Sequence, residues 1–385
     1  MLNEGVCIRL KLFGEDIKRL LANNNWDETC PEKADYILIN SCSFLLSKEK
    51  QFLKIVTKQN KRKKDNQKIC VFGCLPSTNQ EKLLEISKNV ILFHRNLDEI
   101  RDFFKLNKNK VEISHVTSRK LSASGRIIYI LNKLLKDSTI EYRLNKEKVF
   151  HLKISEGCLG NCSYCSEKFT TRLKSRRIRE ILDDFERGLH EGYKIFALNS
   201  DDTSVFGFDN KEDIYSLLAR INGHKEDFKL AITEFNPFGL LDKRIFSVLN
   251  SKKIIFITIP VQSGSQRILN KMNRPYDIKE VIAIIKKLKE INTNLKINTH
   301  IIAGFPGETE EDFKETLDLI NNNIFDRIKI FQYNDRPGTK ASLMQGKIAE
   351  NEKQERFMRL KRKILINFAK NGDISNIMLN CLKIL

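Results

Sequence analysis

Short apolar runs alternate with stretches in which apolar residues recur at helical spacing, and this alternation fills most of the chain. Near the N-terminus the runs are Tyr36-Ile37-Leu38-Ile39-Asn40, Ile69-Cys70-Val71-Phe72-Gly73 and Val90-Ile91-Leu92-Phe93. Helical patterns separate them, one through Phe52, Ile55 and Val56 and one around Leu83 and Leu84. Strands parted by helices predict a parallel, doubly wound α/β domain over residues 1–105. Residues 106–147 are charged and weakly periodic, a connecting segment with one helix near Ile127 to Leu135. From Phe150 the alternation becomes regular. A first strand holds Ile154, and a helix follows with Ile178, Ile181, Leu182, Phe185 and Leu189 on one face. Further strands read at Ile195 to Leu198, Leu230 to Thr233, Ile254 to Ile259, Ile297 to Ile302 and Ile328 to Tyr333. Six strand–helix units predict a partial (βα)6 barrel over 148–345, with ligands at the C-terminal ends of its strands. Residues 346–385 read as a C-terminal helical extension.

Composition narrows the class. The 385 residues suit two domains, and 41% hydrophobic content is ample for two cores. No apolar run has the length of a membrane span and the N-terminus lacks an apolar signal region, so a soluble, cytoplasmic protein without a membrane partner is expected. In that compartment the nine cysteines are ligands, catalysts or core fillers rather than disulfides, and Cys30, Cys70 and Cys381, with no motif around them, read as buried or incidental thiols. The net charge of +19, with runs at Lys61-Arg62-Lys63-Lys64 and Lys361-Arg362-Lys363, suits RNA or an acidic peptide as partner. The competing account is a Lys-, Asn- and Ile-rich composition that raises charge without any partner.

The sharpest chemical signal is Cys158, Cys162 and Cys165, spaced C-x3-C-x2-C with Tyr164 before the last. Soft thiolates so close together suit a [4Fe–4S] cluster, and three of them leave one iron open for a ligand that is not a side chain. Structural zinc wants four ligands, and no fourth Cys or His lies nearby in sequence. Polar, glycine-bearing segments follow the later strands: Asn199 to Thr203, Glu234 to Pro237, Val261 to Ser265, and Gly304 to Thr309. On one rim they suit a nucleoside and amino-acid ligand.

The run Leu152 to Cys165, Asp202-Thr203 with Gly207, Pro260 to Ser265, Gly304 to Thr309 and Arg336-Pro337-Gly338-Thr339 together resemble the methylthiotransferase family of radical S-adenosylmethionine (SAM) enzymes. The resemblance covers roughly residues 30–365. It implies a radical SAM barrel, SAM as cofactor with Tyr164, Asp202, Thr203, Glu234, Gln262, Ser263, Gly304 and Gly307 around it, and two [4Fe–4S] clusters. The second cluster would sit on the N-terminal domain, held by Cys42, Cys74 and Cys7. Leu10 stands where the family carries an Asn after that first cysteine, Thr258 replaces a common His, and His300 a common Asp. Family members replace a C–H hydrogen by a methylthio group. The first cluster reduces SAM to a 5′-deoxyadenosyl radical, the second holds or supplies sulfur, and a second SAM gives the methyl group. An electron donor such as flavodoxin or ferredoxin is implied.

The acceptor divides the family. Leu152 to Cys158, Asn40 to Phe44 and Phe331-Gln332-Tyr333 resemble the branch that modifies a ribosomal protein, whereas Arg336 to Thr339 resembles the tRNA branch. The small β-rich domain that usually ends family members is not seen after the helix pattern near Phe368. A polypeptide side chain is therefore the expected acceptor, with a tRNA adenosine as the alternative. A cobalamin-dependent radical SAM enzyme is a further alternative, although none of the six histidines lies in an Asp-x-His-x-x-Gly string. A non-enzymatic iron–sulfur scaffold is the other.

Overall fold

A computed structural model describes residues 1–2, 6–43, 45–107 and 149–370. The expected helix near Ile127, most of the connecting segment and Cys381 lie outside these residues.

The N-terminal sheet has three parallel strands, β1 (Tyr36–Ser41), β2 (Lys68–Gly73) and β3 (Ile91–Leu92), in that order. Side chains alternate across a strand, so each face of the sheet collects its own apolar layer. Ile37, Ile39, Ile69 and Val71 pack with Phe52 and Val56 of the helix Leu46–Arg62 and Leu83 of the helix Gln80–Ile86. Leu38, Cys70 and Phe72 face the other way, onto Phe13, Ile17 and Leu20 of the helix Ile8–Ala22 and Ile100 of the helix Leu97–Phe103. Helices on both faces make the domain doubly wound. The helix Ile8–Ala22 adds an element that the apolar pattern does not mark. Leu2 forms one parallel bridge to Ile39, and Cys7 stands at the N-cap of the helix.

The larger sheet is all parallel. Its strands are β4 (Val149–Lys153), β7 (Ile195–Asn199), β8 (Lys229–Ile232), β9 (Ile254–Thr258), β10 (Lys296–Ala303) and β11 (Arg327–Gln332), paired in that order. Between β4 and β7 lies a small antiparallel ribbon, β5 (Ser155–Glu156) with β6 (Lys174–Ser175). Ile154 falls between β4 and the ribbon, fully buried, rather than inside the strand. Amphipathic helices cover the sheet; in the helix Ile178–His190, Ile178, Ile181 and Phe185 point inward. The helix Glu310–Asn321 starts on the capping box formed by Thr309 and Asp312. The helix Glu350–Lys370, in the stretch read as a C-terminal helical extension, places Leu360 and Ile364 in the same core. Among the described residues, no helix is long and apolar enough to cross a membrane.

The two sheets meet through charge. Arg9 and Arg95 of the N-terminal domain reach Asp201 beyond β7, Asp16 binds Lys153 at 3.1 Å, and Glu49 binds Arg336 at 2.8 Å.

Candidate functional site

A cavity of about 210 Å³ opens at the C-terminal ends of the larger sheet's strands. The loop after β4 brings Cys158, Cys162, Tyr164 and Cys165 to it, the loops after β7 and β8 bring Asp202 and Glu234, and Gln262 follows β9. His300 and Phe331 line it from β10 and β11, while Arg9, Ser43 and Leu45 reach it from the N-terminal domain. Cysteine loop and auxiliary domain thus share one space.

The cysteine loop is tied at its middle. The Ser163 amide donates to the Met272 carbonyl (3.0 Å), its hydroxyl to the Lys271 carbonyl (2.8 Å), and its own carbonyl accepts from the Ala341 amide (2.8 Å). The thiols receive donors: the Gly160 amide at Cys158 Sγ (3.1 Å), the Glu167 amide at Cys165 Sγ (3.4 Å) and Arg274 at Cys162 Sγ (3.5 Å). A methyl group on Gly160 would stand 3.1 Å from Cys158 Sγ and 3.8 Å from Cys162 Sγ, so only glycine leaves the space between these two sulfurs open. Burial, with the Asp202 carboxylate beside it, pushes the Cys158 thiol far above its ordinary value; burial and Glu167 push Cys165 up to about 12. Among the described residues no three His, Cys, Asp or Glu side chains close on the point a single ion would take. Three spread thiols, each with its own N–H donor, fit a cluster, in which every thiolate binds a different iron.

Around this loop the strand-end residues are unequal. Asp202 accepts from the Ser204 amide (3.0 Å) and hydroxyl (2.7 Å) and from Asn236 Nδ2 (3.1 Å), which leaves its side chain fixed at the cavity wall. Glu234 and Gln262 hold φ of 50° and 69°, a left-handed backbone that costs non-glycine residues on the order of 1 kcal/mol each. Both strained residues line the cavity. Among the described residues the buried Gln262 Oε1 has no hydrogen-bond partner, which leaves an acceptor ready for a ligand donor. Glu234 Oε2 lies 3.8 Å from His300 Nδ1, and burial lowers the imidazole's affinity for a proton despite that carboxylate. Tyr164 packs edge-on toward Phe305, with ring centroids 6.4 Å apart. Thr203, Ser263, Gly304 and Gly307 do not line the cavity. The Thr203 hydroxyl donates to the Thr233 carbonyl (2.5 Å), Ser263 Oγ accepts from the Ser265 amide (3.1 Å), the Gly304 amide donates to Glu308 (2.9 Å), and the Gly307 amide to the Gly346 carbonyl (2.7 Å). These residues shape the loops that present the others.

Three further cysteines gather at the C-terminal edge of the N-terminal sheet. Cys42 follows β1 and Cys74 follows β2, both buried, and Cys7 packs against the same apolar layer. Asn40 Nδ2 donates to the Leu10 carbonyl (2.7 Å) and ties the first turns of the helix behind Cys7 to β1. A hydrogen bond from Cys42 outweighs burial and, with Arg9 nearby, lowers the Cys7 thiol to about 5; burial and Glu167 raise that of Cys74. One ready thiolate beside two buried thiols fits a second thiolate-held group.

Asp201 joins the two halves, and sequence reading passed over it. Its carboxylate takes Arg95 at 2.6 and 3.1 Å, Arg9 at 2.6 Å and the Gly157 amide, next to Cys158, at 2.6 Å. Arg95 also holds Glu167 at 2.9 Å. Burial opposes ionisation of Asp201, but the two guanidiniums win and hold it well below the usual carboxylate range. Glu167, where burial and Asp201 prevail over the same arginines, rises to about 7.

Comparison with known proteins adds the context. A model of the radical SAM superfamily matches residues 152–320, and one described as uncharacterized protein family UPF0004 matches residues 14–94. The ribosomal protein uS12 methylthiotransferase RimO of Pseudothermotoga lettingae is 30% identical over 338 residues, covering 86% of this chain and 74% of its own. The tRNA-2-methylthio-N(6)-dimethylallyladenosine synthase of Finegoldia magna is also 30% identical, over 90% of this chain and 75% of its own. The threonylcarbamoyladenosine tRNA methylthiotransferase MtaB of Thermotoga maritima is 28% identical, with coverage of 86% and 73%. Among solved structures, the radical S-adenosylmethionine methyltransferase TsrM of Kitasatospora setae superposes with a TM-score of 0.58 at 12% identity, over 86% of this chain and 68% of that one, a likeness of fold.

Proposed function

The chain belongs to the radical SAM methylthiotransferase family, and from that premise we propose that it replaces a C–H hydrogen of a tRNA adenosine by a methylthio group. As a family member it is an enzyme that uses SAM and two [4Fe–4S] clusters. Cys158, Cys162 and Cys165 would hold the cluster of the barrel, leaving one iron for SAM; Cys7, Cys42 and Cys74 would hold the second. We divide the chain accordingly, with an auxiliary domain over 1–105, a connecting segment over 106–147 and the barrel from 148.

The observation that carries this reading is the shared cavity, where the Cys158 loop and residues next to the auxiliary cysteines face one space. When bound, the clusters and SAM supply the radical, the sulfur and the methyl group. The chain's own residues bind, orient and exclude water. Gln262 Oε1 offers an acceptor to a ligand amine or hydroxyl, and Asp202 and Glu234 offer carboxylates on the same wall. Arg274 and the Gly160 and Glu167 amides give the barrel thiolates hydrogen bonds that offset their negative charge. The Asp201 ion pairs hold the auxiliary domain against the cysteine loop, so that sulfur and acceptor stand in one enclosure. An external reductant is needed, and an acidic flavodoxin or ferredoxin in the cytoplasm suits the basic chain.

Two features favour tRNA: the +19 net charge, and Arg336, of the segment resembling the tRNA branch, on the cavity wall. A polypeptide side chain is the second reading, favoured by Phe331, Gln332 and Tyr333, which line the same wall and resemble the protein-modifying branch. Mass spectrometry of tRNA nucleosides and of the proteome from a deletion strain separates them. Loss of a methylthioadenosine supports the first reading; unchanged tRNA with a lost methylthio group on a protein replaces it by the second.

A further inference from the structure

The helix Leu46–Arg62 turns one face to the core and the other to solvent. Phe52 and Val56 are buried, while Lys50, Lys54, Lys58, Lys61 and Arg62 are exposed along the outer face, followed by Lys64. From Leu46 to Lys68 the chain carries nine Lys and Arg against two acids, Glu49 and Asp65. Glu49 is buried and engaged by Arg336 (2.8 Å), Asn79 (2.9 Å) and Lys82 (3.1 Å), so Asp65 is the one acid of this stretch left at the surface. None of Lys50, Lys54, Lys58, Lys61 and Arg62 has an ion-pair partner among the described residues. Elsewhere arginines at the surface do: the exposed Arg244 pairs with Asp242 and the half-buried Arg359 with Glu310. A groove runs beside the row, between Lys54, Lys58 and Lys61 on one side and Lys82 and Glu85 of the helix Gln80–Ile86 on the other.

Position gives this face its meaning. Leu45, at the N-cap of the helix, lines the catalytic cavity. The row of cations therefore starts with Lys50, about 8 Å along the helix axis from the cavity-lining Leu45, and runs about 18 Å farther to Arg62, at steps of about 6 Å for every four residues. We propose that this face is a ledge for the sugar–phosphate backbone of tRNA, which guides a neighbouring nucleotide into the cavity; the proposal rests on the tRNA reading given above. Regular unpaired cations suit phosphates, which are bound through charge alone, and the groove beside them, lined also by Leu53, Thr57 and Ile86, presents no aromatic side chain. A protein partner would call for the reverse, since protein interfaces are depleted in Lys and centre on aromatic or apolar anchors.

The test uses full-length, anaerobically reconstituted enzyme and unmodified tRNA, with affinity measured by fluorescence anisotropy over a series of salt concentrations. Lys50, Lys54, Lys58 and Lys61 are changed together to Gln, which preserves helix propensity. A control changes Lys252, Lys279, Lys286 and Lys314 to Gln, lowering net charge equally on the barrel's outer helices and turns. The ledge variant is expected to bind at least about tenfold more weakly at low salt, with a log–log salt slope shallower by roughly 3. The control keeps most of both, and uncoupled SAM cleavage is unchanged in each. Equal losses in the two variants overturn the ledge, because binding then follows net charge. Tight wild-type binding untouched by the ledge substitutions overturns the ledge and leaves the tRNA reading standing. No salt-dependent wild-type binding overturns both. A ledge variant that keeps tRNA affinity yet loses affinity for a poly-glutamate peptide reassigns the face to an acidic protein and overturns the proposal.

Discussion

Changing Asp201 to Asn keeps the side chain's shape and removes the charge on which two guanidiniums from the other domain depend. Asp201 and Arg95 are 0% and 2% exposed, and Arg9 is 20% exposed. Removing one partner of a buried pair costs about 3–5 kcal/mol, because the other charge stays buried. Arg95 keeps Glu167 at 2.9 Å, and Glu167, relieved of its acidic neighbour, ionises more readily. The lower end of the range, about 3 kcal/mol, is therefore expected. The single Trp26 lies in the N-terminal domain, in edge contact with Tyr36 and Phe104, so its fluorescence during urea unfolding reports that domain. Adding Arg95→Met removes the stranded charge. The double variant should then recover part of the loss, with a coupling energy of about 2 kcal/mol. In reconstituted enzyme, Asp201→Asn should lower methylthio product more than uncoupled SAM cleavage, since the two domains separate before the barrel fails. A cost below about 1 kcal/mol, or strict additivity of the two substitutions, would show that the Asp201 charge does not hold the two domains together.

Three further outcomes are expected. Anaerobically reconstituted protein should bind about eight irons, and the combined Cys158→Ala, Cys162→Ala and Cys165→Ala variant about half; wild type that never exceeds about four sinks the auxiliary cluster. In metal-free protein at pH 7, iodoacetamide should label Cys7, lowered to about 5, well ahead of buried Cys70, raised to about 12, with the Cys7 rate falling only as pH drops through about 5; equal rates contradict the assignment. Gly160→Ala sets a methyl 3.1 Å from Cys158 Sγ and should cut iron in the barrel site with little change in apo-protein stability; full occupancy would show that the gap between the sulfurs is not needed.

What the sequence made legible was local. Strand and helix periodicity gave both parallel sheets, and cysteines placed just after apolar runs fell at strand ends, where a parallel sheet gathers its ligands. Pairs across domains were invisible: Arg9 lies 192 positions and Arg95 106 positions from Asp201, and no periodicity links them. The helix Ile8–Ala22 escaped because Leu10 and Phe13 serve opposite faces of the sheet, which blurs a one-sided apolar stripe. Motif spacing marked Thr203, Ser263, Gly304 and Gly307 together with Asp202 and Gln262, yet only the latter two reach the cavity. A turn constrains all its residues, and spacing does not tell those that make the loop from those the loop presents. The charged helix was half legible: the run at Lys61 stood out, whereas Lys50, Lys54 and Lys58 join it only once they share an exposed face.

The proposed reaction joins radical formation, sulfur insertion and methyl transfer at one site. Its most direct measurement is a mass balance on reduced, fully reconstituted enzyme given SAM and tRNA from the deletion strain. Turnover should give 5′-deoxyadenosine and S-adenosylhomocysteine together, and an adenosine heavier by one sulfur and one CH2. Cys42→Ala or Cys74→Ala should still cleave SAM but yield no methylthio product. An adenosine that gains a methyl group without sulfur, or SAM left intact under reductant, would contradict this reaction.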